Sequence, residues 1–285
     1  MSADYHTLSS SDAVYEYWFD LYLALSTLPI DRTEVRHSDE VIQRLRAAGW
    51  DTSARLFDQY WHRVGWTARQ SRGRVLEIGA GMGTITRWIA SNPEVSAVVA
   101  LEVQPRYVRI LDGFAFPKTT AMQADALRDT ERIAPHGPFD TVVLAEFIEH
   151  LAPGQELALL RALRRHLAPG ARWVVTTPIG FMPDPDHKRG FSPRLFRLRS
   201  ELLYGAIEET GHNGIQQFVA CRTGRHSAST RLARETLARI LDWGFDARPP
   251  GALARALASA RPLARGLARR AYRRVRLLAR TETGR

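Results

Sequence analysis

Apolar positions along the chain fall into short runs that alternate with stretches of helical spacing. Val75, Leu76 and Ile78 form a run suited to a buried parallel strand, and after the glycine-rich stretch Gly79–Gly83 the segment Thr84–Ala90 continues at helical spacing. Val95–Leu101 predicts a second buried strand, the segment around Thr119–Ala126 a third, and Phe139–Ala145 a fourth. A helix is predicted at about 155–167, then the turn Leu167-Ala-Pro-Gly-Ala171 and a strand over Arg172–Thr177. Such alternation predicts an α/β sheet that gathers polar ligands at its strand ends. Before the first strand, helices are predicted at Asp12–Leu28, Ser38–Ala48 and Asp51–Gln70, with Tyr15, Trp18, Phe19, Trp50, Trp61 and Trp66 among their apolar bulk.

Between the first strand and its helix, Gly79, Ala80, Gly81 and Gly83 turn the chain sharply. Small residues let the backbone approach a ligand, because no Cβ intrudes and positive φ is permitted. The spacing is Gly-x-Gly-x-Gly, and Thr84 stands where the third glycine of a dinucleotide fingerprint is needed. No Gly-x-x-x-x-Gly-Lys-Ser/Thr run occurs, which excludes an NTPase phosphate loop. Glu77 precedes the first glycine by two positions. Glu102, 19 residues after Gly83 and at the carboxyl end of the second strand, stands where a doubly wound sheet puts a carboxylate for ribose hydroxyls. Asp125 ends the third element, in reach of an exocyclic amine.

Taken together, Glu77-Ile-Gly-Ala-Gly-Met-Gly83, Glu102, Asp125, Phe139-Asp140, Glu149-His150-Leu151 and Leu167-Ala-Pro-Gly170 resemble the class I S-adenosylmethionine-dependent methyltransferases. The resemblance covers residues 72–220. It implies a doubly wound, mostly parallel, seven-stranded Rossmann-like sheet over 71–222. A helical amino-terminal cap or lid over 1–70 and a basic helical extension over 223–285 flank it. It gives Glu77, Gly79, Ala80, Gly81 and Gly83 to the methionine end of the cofactor, Glu102 to the ribose, and Asp125 with Ala126 to the adenine. Ala145 and Glu146 fall beside the sulfonium methyl. The turn Pro169-Gly170-Ala171 departs from the family, which often has two glycines there.

A sulfonium methyl is already activated, so in-line positioning supplies much of the acceleration, and a hydroxyl acceptor gains from a nearby base. Glu149 and His150 follow the fourth strand at the ligand edge, and an imidazole is the better base near neutrality. Their competing role is to cap and pack the loop. Glu146, Glu149, His150 and His187 also form a set able to hold a divalent cation. That set resembles the metal site of small-RNA 3′-terminal 2′-O-methyltransferases, although Phe191-Ser-Pro-Arg-Leu-Phe196 departs from those enzymes and reads as the approach to a late helix. The expected function is methyl transfer to a hydroxyl oxygen of a small or lipid-like metabolite. A metal-assisted RNA 2′-O-methyltransferase and a non-enzymatic cofactor-binding or membrane-docking protein are the alternatives.

Composition changes this picture little, but charge does. No apolar run in the 285 residues approaches the roughly 20 that span a bilayer. The polar start near Asp4 lacks the features of a signal peptide, and Cys221 is the only cysteine, so a reducing cytoplasm is expected, with Cys221 filling core. Residues 222–285 hold 16 arginines against Glu235, Asp242, Asp246 and Glu282. Their +12 against the chain's +10 leaves −2 for the rest, so the basic character belongs to the tail. Beyond Pro249-Pro-Gly251, Leu263, Leu267, Ala271, Val275 and Leu278 recur at helical steps among arginines. This amphipathic helix suits docking at a membrane surface or a protein partner. Tyr272 is the lone aromatic among them, which argues against stacking on nucleic-acid bases.

Overall fold

The computed structural model describes residues 54–180, 186–224 and 228–241. The helices expected at 12–28 and 38–48, and the basic helix beyond 250, lie outside the described residues. Helix α1 (Ala54–Gln70) leads into β1 (Gly73–Ile78), and α2 (Thr84–Ser91), β2 (Val95–Glu102), α3 (Pro105–Gly113), β3 (Thr119–Gln123) and β4 (Phe139–Ala145) follow. Then come α4 (Gln155–Leu163), β5 (Leu167–Pro178), α5 (Pro193–Leu203), the hairpin β6 (Ala206–His212) and β7 (Gln216–Arg222), and α6 (Ala228–Leu241). The seven strands lie in the order β3-β2-β1-β4-β5-β7-β6, with β7 antiparallel to both neighbours and the other pairs parallel. The strand order reverses between β1 and β2 on one side and β4 on the other, so the carboxyl ends of these strands flank the crevice where a ligand binds.

Alternation along the strands builds two cores, one on each face. Val75, Val98, Val143 and Val174 face one way and pack with Val64, Trp66 and Ala68 of α1 and Ile85 and Ile89 of α2. Leu76, Ile78, Val142, Leu144, Trp173 and Val175 face the other way, against Leu160 and Leu163 of α4 and Phe196 of α5. Full burial of each such side chain stabilises by about 1.5–3 kcal/mol. Helix α1, the last part of the expected cap, is therefore seated on the sheet. Cys221 is fully buried in the second core, as expected of a filler.

Asp140, part of the family-like motif, works at the far edge of the sheet. Its Oδ2 accepts from the Arg74 amide at 2.9 Å, which fixes the start of β1 on β4. Three boundaries differ from expectation. The third strand ends at Gln123; the Ala124 amide still bonds the Glu102 carbonyl at 3.1 Å, and a turn over Ala126–Arg128 closes on the Asp125 carbonyl. The helix of 155–167 ends at Leu163, and Arg164–His166 tighten into a 3₁₀ turn. The turn expected at 167–171 lies inside the span of β5. Pairing jumps from Phe139–Leu167 to Thr141–Arg172, so residues 168–171 loop out between two bonded points, with Gly170 at φ +73°.

Candidate active site

The glycine turn is fastened to the end of β2 by its own backbone. The Gly79 and Ala80 amides both donate to the Leu101 carbonyl at 2.9 Å, and the Gly83 amide closes on the Ala80 carbonyl at 3.0 Å. Gly83, at φ +86°, must be glycine twice over: a Cβ there would stand 2.4 Å from Leu111 Cδ1 and 2.7 Å from Phe116. Gly81, at φ +55°, faces open space, with nothing within 4 Å of a Cβ. The turn thus packs tightly at Gly83 and leaves its middle bare, an arrangement that lets a ligand lie close to the backbone.

Two carboxylates serve this turn differently. Glu102 Oε2 accepts from the Gly81 amide at 2.9 Å, and its Oε1 accepts from the Gln104 amide at 2.8 Å. Each oxygen keeps a further lone pair, so the group that shapes the turn can still accept a ribose hydroxyl. Glu77 is buried beside it, and among the described residues its Oε2 has no hydrogen-bond partner. Burial raises the Glu77 carboxyl to about 8, with Thr86 easing the shift and the Glu102 charge adding to it. A buried carboxyl with an unmet oxygen next to a bare glycine turn fits the ammonium end of the cofactor.

Asp125, half-buried past β3, accepts from the Leu127 amide at 2.8 Å and lies 3.4 Å from Arg128. It therefore shapes its own turn, as Glu102 does. Ala126 is buried beneath. Val103, directly after Glu102, is 56% exposed, an apolar side chain left open at the end of β2.

Residues 76–173 match the model of a family described as "Methyltransferase domain". That segment, about a third of the chain, carries a methyltransferase domain, in line with the resemblance to the class I S-adenosylmethionine-dependent methyltransferases. No curated protein matches the chain. Among solved structures, the chain is similar to the N-methyltransferase NodS from Bradyrhizobium japonicum WM9, at 17% identity over 59% of this chain and 98% of that one, with a TM-score of 0.47. It is also similar to the protein of a DhpI-SAH complex, at 17% identity over 76% of this chain and 100% of that one, with a TM-score of 0.48. A third is the glycopeptide N-methyltransferase MtfA complexed with S-adenosylmethionine, at 18% identity over 57% and 93%, with a TM-score of 0.42. None of these likenesses bears on the acceptor.

A second loop lies on the glycine turn. A Cβ on Gly79 would stand 2.7 Å from Phe147, so the segment after β4 lies directly against it. Ala145 is buried at the end of β4, and Glu146 follows at φ +51°, a conformation that L residues adopt rarely and at a cost. Three elements hold the Glu146 carboxylate there. Thr176 Oγ1 donates to it at 3.0 Å, Gln216 Nε2 at 3.1 Å, and Arg63 Nη1 of α1 pairs with it at 3.3 Å.

Glu149 is 1% exposed, and its Oε2 accepts from Thr177 Oγ1 at 3.0 Å. Its Oε1 has no partner among the described residues. Burial, and then the Glu146 charge, push its carboxyl well above the usual carboxylate range, with Thr177 and Arg63 pulling the other way. His150 and His187 meet edge to face at 4.8 Å between ring centroids. One ligating atom from each of Glu149, His150 and His187 lies within 4.8 Å of the others. Three of the four expected metal-set residues therefore come together, while Glu146 is turned to Arg63, Thr176 and Gln216.

Proposed function

We propose that this methyltransferase carries the methyl group to a hydroxyl oxygen of a small or lipid-like acceptor, with His150 taking the hydroxyl proton. The observation that supports the reading is the cluster of Glu149, His150 and His187, the first two on the loop whose Phe147 packs against Gly79. An amine acceptor needs only to be neutral, whereas a hydroxyl must lose its proton as the methyl arrives, so a cluster of proton-handling groups suits oxygen better. When bound, S-adenosylmethionine supplies an activated sulfonium methyl. Glu77, Gly79, Ala80, Gly81 and Gly83 would hold its methionine end, Glu102 its ribose, and Asp125 and Ala126 its adenine. Ala145 and Glu146 would border the methyl. Glu149, whose carboxyl is pushed up by burial and by the Glu146 charge, stands next to the imidazole that would receive the proton.

A second reading has its own support. The unmet Glu149 oxygen beside two imidazoles is a donor set that a divalent cation could complete, lowering the acceptor's pKa. The RNA 2′-O-methyltransferase alternative takes this form.

One experiment separates the readings. His150→Ala should lower turnover about 10²–10⁴-fold while leaving cofactor affinity within a small factor, and EDTA should leave the wild type active. Full activity in the variant would retire the base. Activity lost to EDTA and restored by Mg²⁺ or Mn²⁺ would establish the cation reading instead.

A further inference from the structure

The turn that carries Glu149 and His150 is braced from beneath by Arg189. Its guanidinium Nη2 donates to the Ile148 carbonyl at 2.6 Å, and the amides of Lys188 and Arg189 both donate to the Glu149 carbonyl, at 2.9 and 3.1 Å. Two successive carbonyls of the turn are thus bonded to one short segment, and His187 stands at its start. The segment is itself anchored. Arg189 Nη2 pairs with Glu156 Oε2 of α4 at 3.0 Å, and both side chains are almost wholly buried. Glu156 also receives Arg199 of α5 at 2.5 Å and the Tyr204 hydroxyl at 2.5 Å, and both guanidiniums lie over the Phe191 ring.

One guanidinium would suffice to neutralise Glu156. Burial opposes ionisation of this carboxyl, yet Arg199 and then Arg189 hold it down at about 2. A second buried arginine is a costly way to fill space, since apolar residues of like volume stabilise a core as well or better. What Arg189 adds is reach, because its Nη2 stands between the Glu156 carboxylate and the Ile148 carbonyl and bonds both.

We propose that Arg189 is a positioning residue that fixes the separation of His150 and His187 through the Ile148 and Glu149 carbonyls. The functional meaning of this brace rests on the role proposed for His150, but the brace can be tested without an acceptor. The probe is the proton–proton NOE between the two imidazoles in protein labelled with ¹³C,¹⁵N-histidine, with resonances assigned by His150→Ala and His187→Ala. Arg189→Lys keeps a charge for Glu156 but replaces the long planar guanidinium with a shorter ammonium that cannot hold both contacts in the same geometry. Arg189→Met removes both, and Arg199 and Tyr204 still satisfy Glu156.

In Arg189→Lys the inter-ring NOE should fall about threefold, the drop expected from the inverse sixth power for a loosening of about 1 Å. Melting temperature and S-adenosylhomocysteine affinity should stay near wild type. Arg189→Met should lose the NOE further if it folds; if it does not, Arg189→Lys decides. A folded variant with the wild-type NOE overturns the brace. Full turnover by His150→Ala would instead overturn the base role and leave the NOE result standing.

Discussion

Glu77→Gln separates the two things that Glu77 is expected to do, holding a proton in the free protein and giving it up to the cofactor. The free carboxyl sits at about 8 because it is buried, and Glu102 adds to the effect. At pH 7 such a group is about 0.9 protonated, and at pH 9 about 0.1. An ammonium arriving beside it reverses the balance, since an opposite charge at contact favours the ionised form. Binding of S-adenosylhomocysteine at pH 7 should therefore release about 0.9 proton more from the wild type than from Glu77→Gln, and the difference should vanish by about pH 9. Titration calorimetry in two buffers of different ionisation enthalpy reads this directly. The same shift has a stability consequence. A carboxyl raised in the folded state contributes stability that is complete below about 4.5 and is lost as pH rises through about 8. The melting temperature of the free wild type should fall across that window relative to Glu77→Gln. Equal proton release by the two proteins at pH 7 would refute the assignment of Glu77 to the ammonium.

Two further outcomes follow from the turn. Glu102→Ala strips the Gly81 and Gln104 amides of their acceptor, at about 1–3 kcal/mol each, so S-adenosylhomocysteine affinity should fall at least about tenfold; unchanged affinity by calorimetry would remove its ribose role. Gly83→Ala forces a Cβ against Leu111 at a left-handed φ and should lower the melting temperature by at least about 2–4 °C, whereas Gly81→Ala, facing open space, should keep more of the fold and lose cofactor affinity.

The features read well from sequence are those in which neighbouring residues make the structure. The strand–glycine–helix unit at 73–91 is local, and the apolar runs of β1, β2 and β4 are long enough to name themselves as interior strands. The order of polar strand ends alone puts Glu77, Glu102, Glu149 and His150 at one edge. Features that depend on distant segments stayed hidden. Arg63 reaches Glu146 across 83 positions, and Gln216 reaches it across 70. Helical spacing shows α1 to be amphipathic but does not say which carboxylate the buried Arg63 will meet. Thr176 and Thr177 did carry a signal, a polar pair closing an apolar strand at the ligand edge. Their acceptors follow only from the register of β5 on β4. The loop-out at 168–171 was misread as the boundary of β5 because Pro169-Gly170 mark a turn without saying that pairing resumes on both sides.

The destination of the methyl group tests the account most directly. The full chain is incubated with S-adenosylmethionine carrying a ¹³C-labelled methyl and an extract of the source cells, and the labelled product is isolated and examined by NMR. The account expects the label as an O-methyl ether or ester on a small or lipid-like molecule, absent when His150→Ala replaces the wild type. A label on nitrogen or carbon, or an O-methyl product formed equally well by His150→Ala, would contradict it.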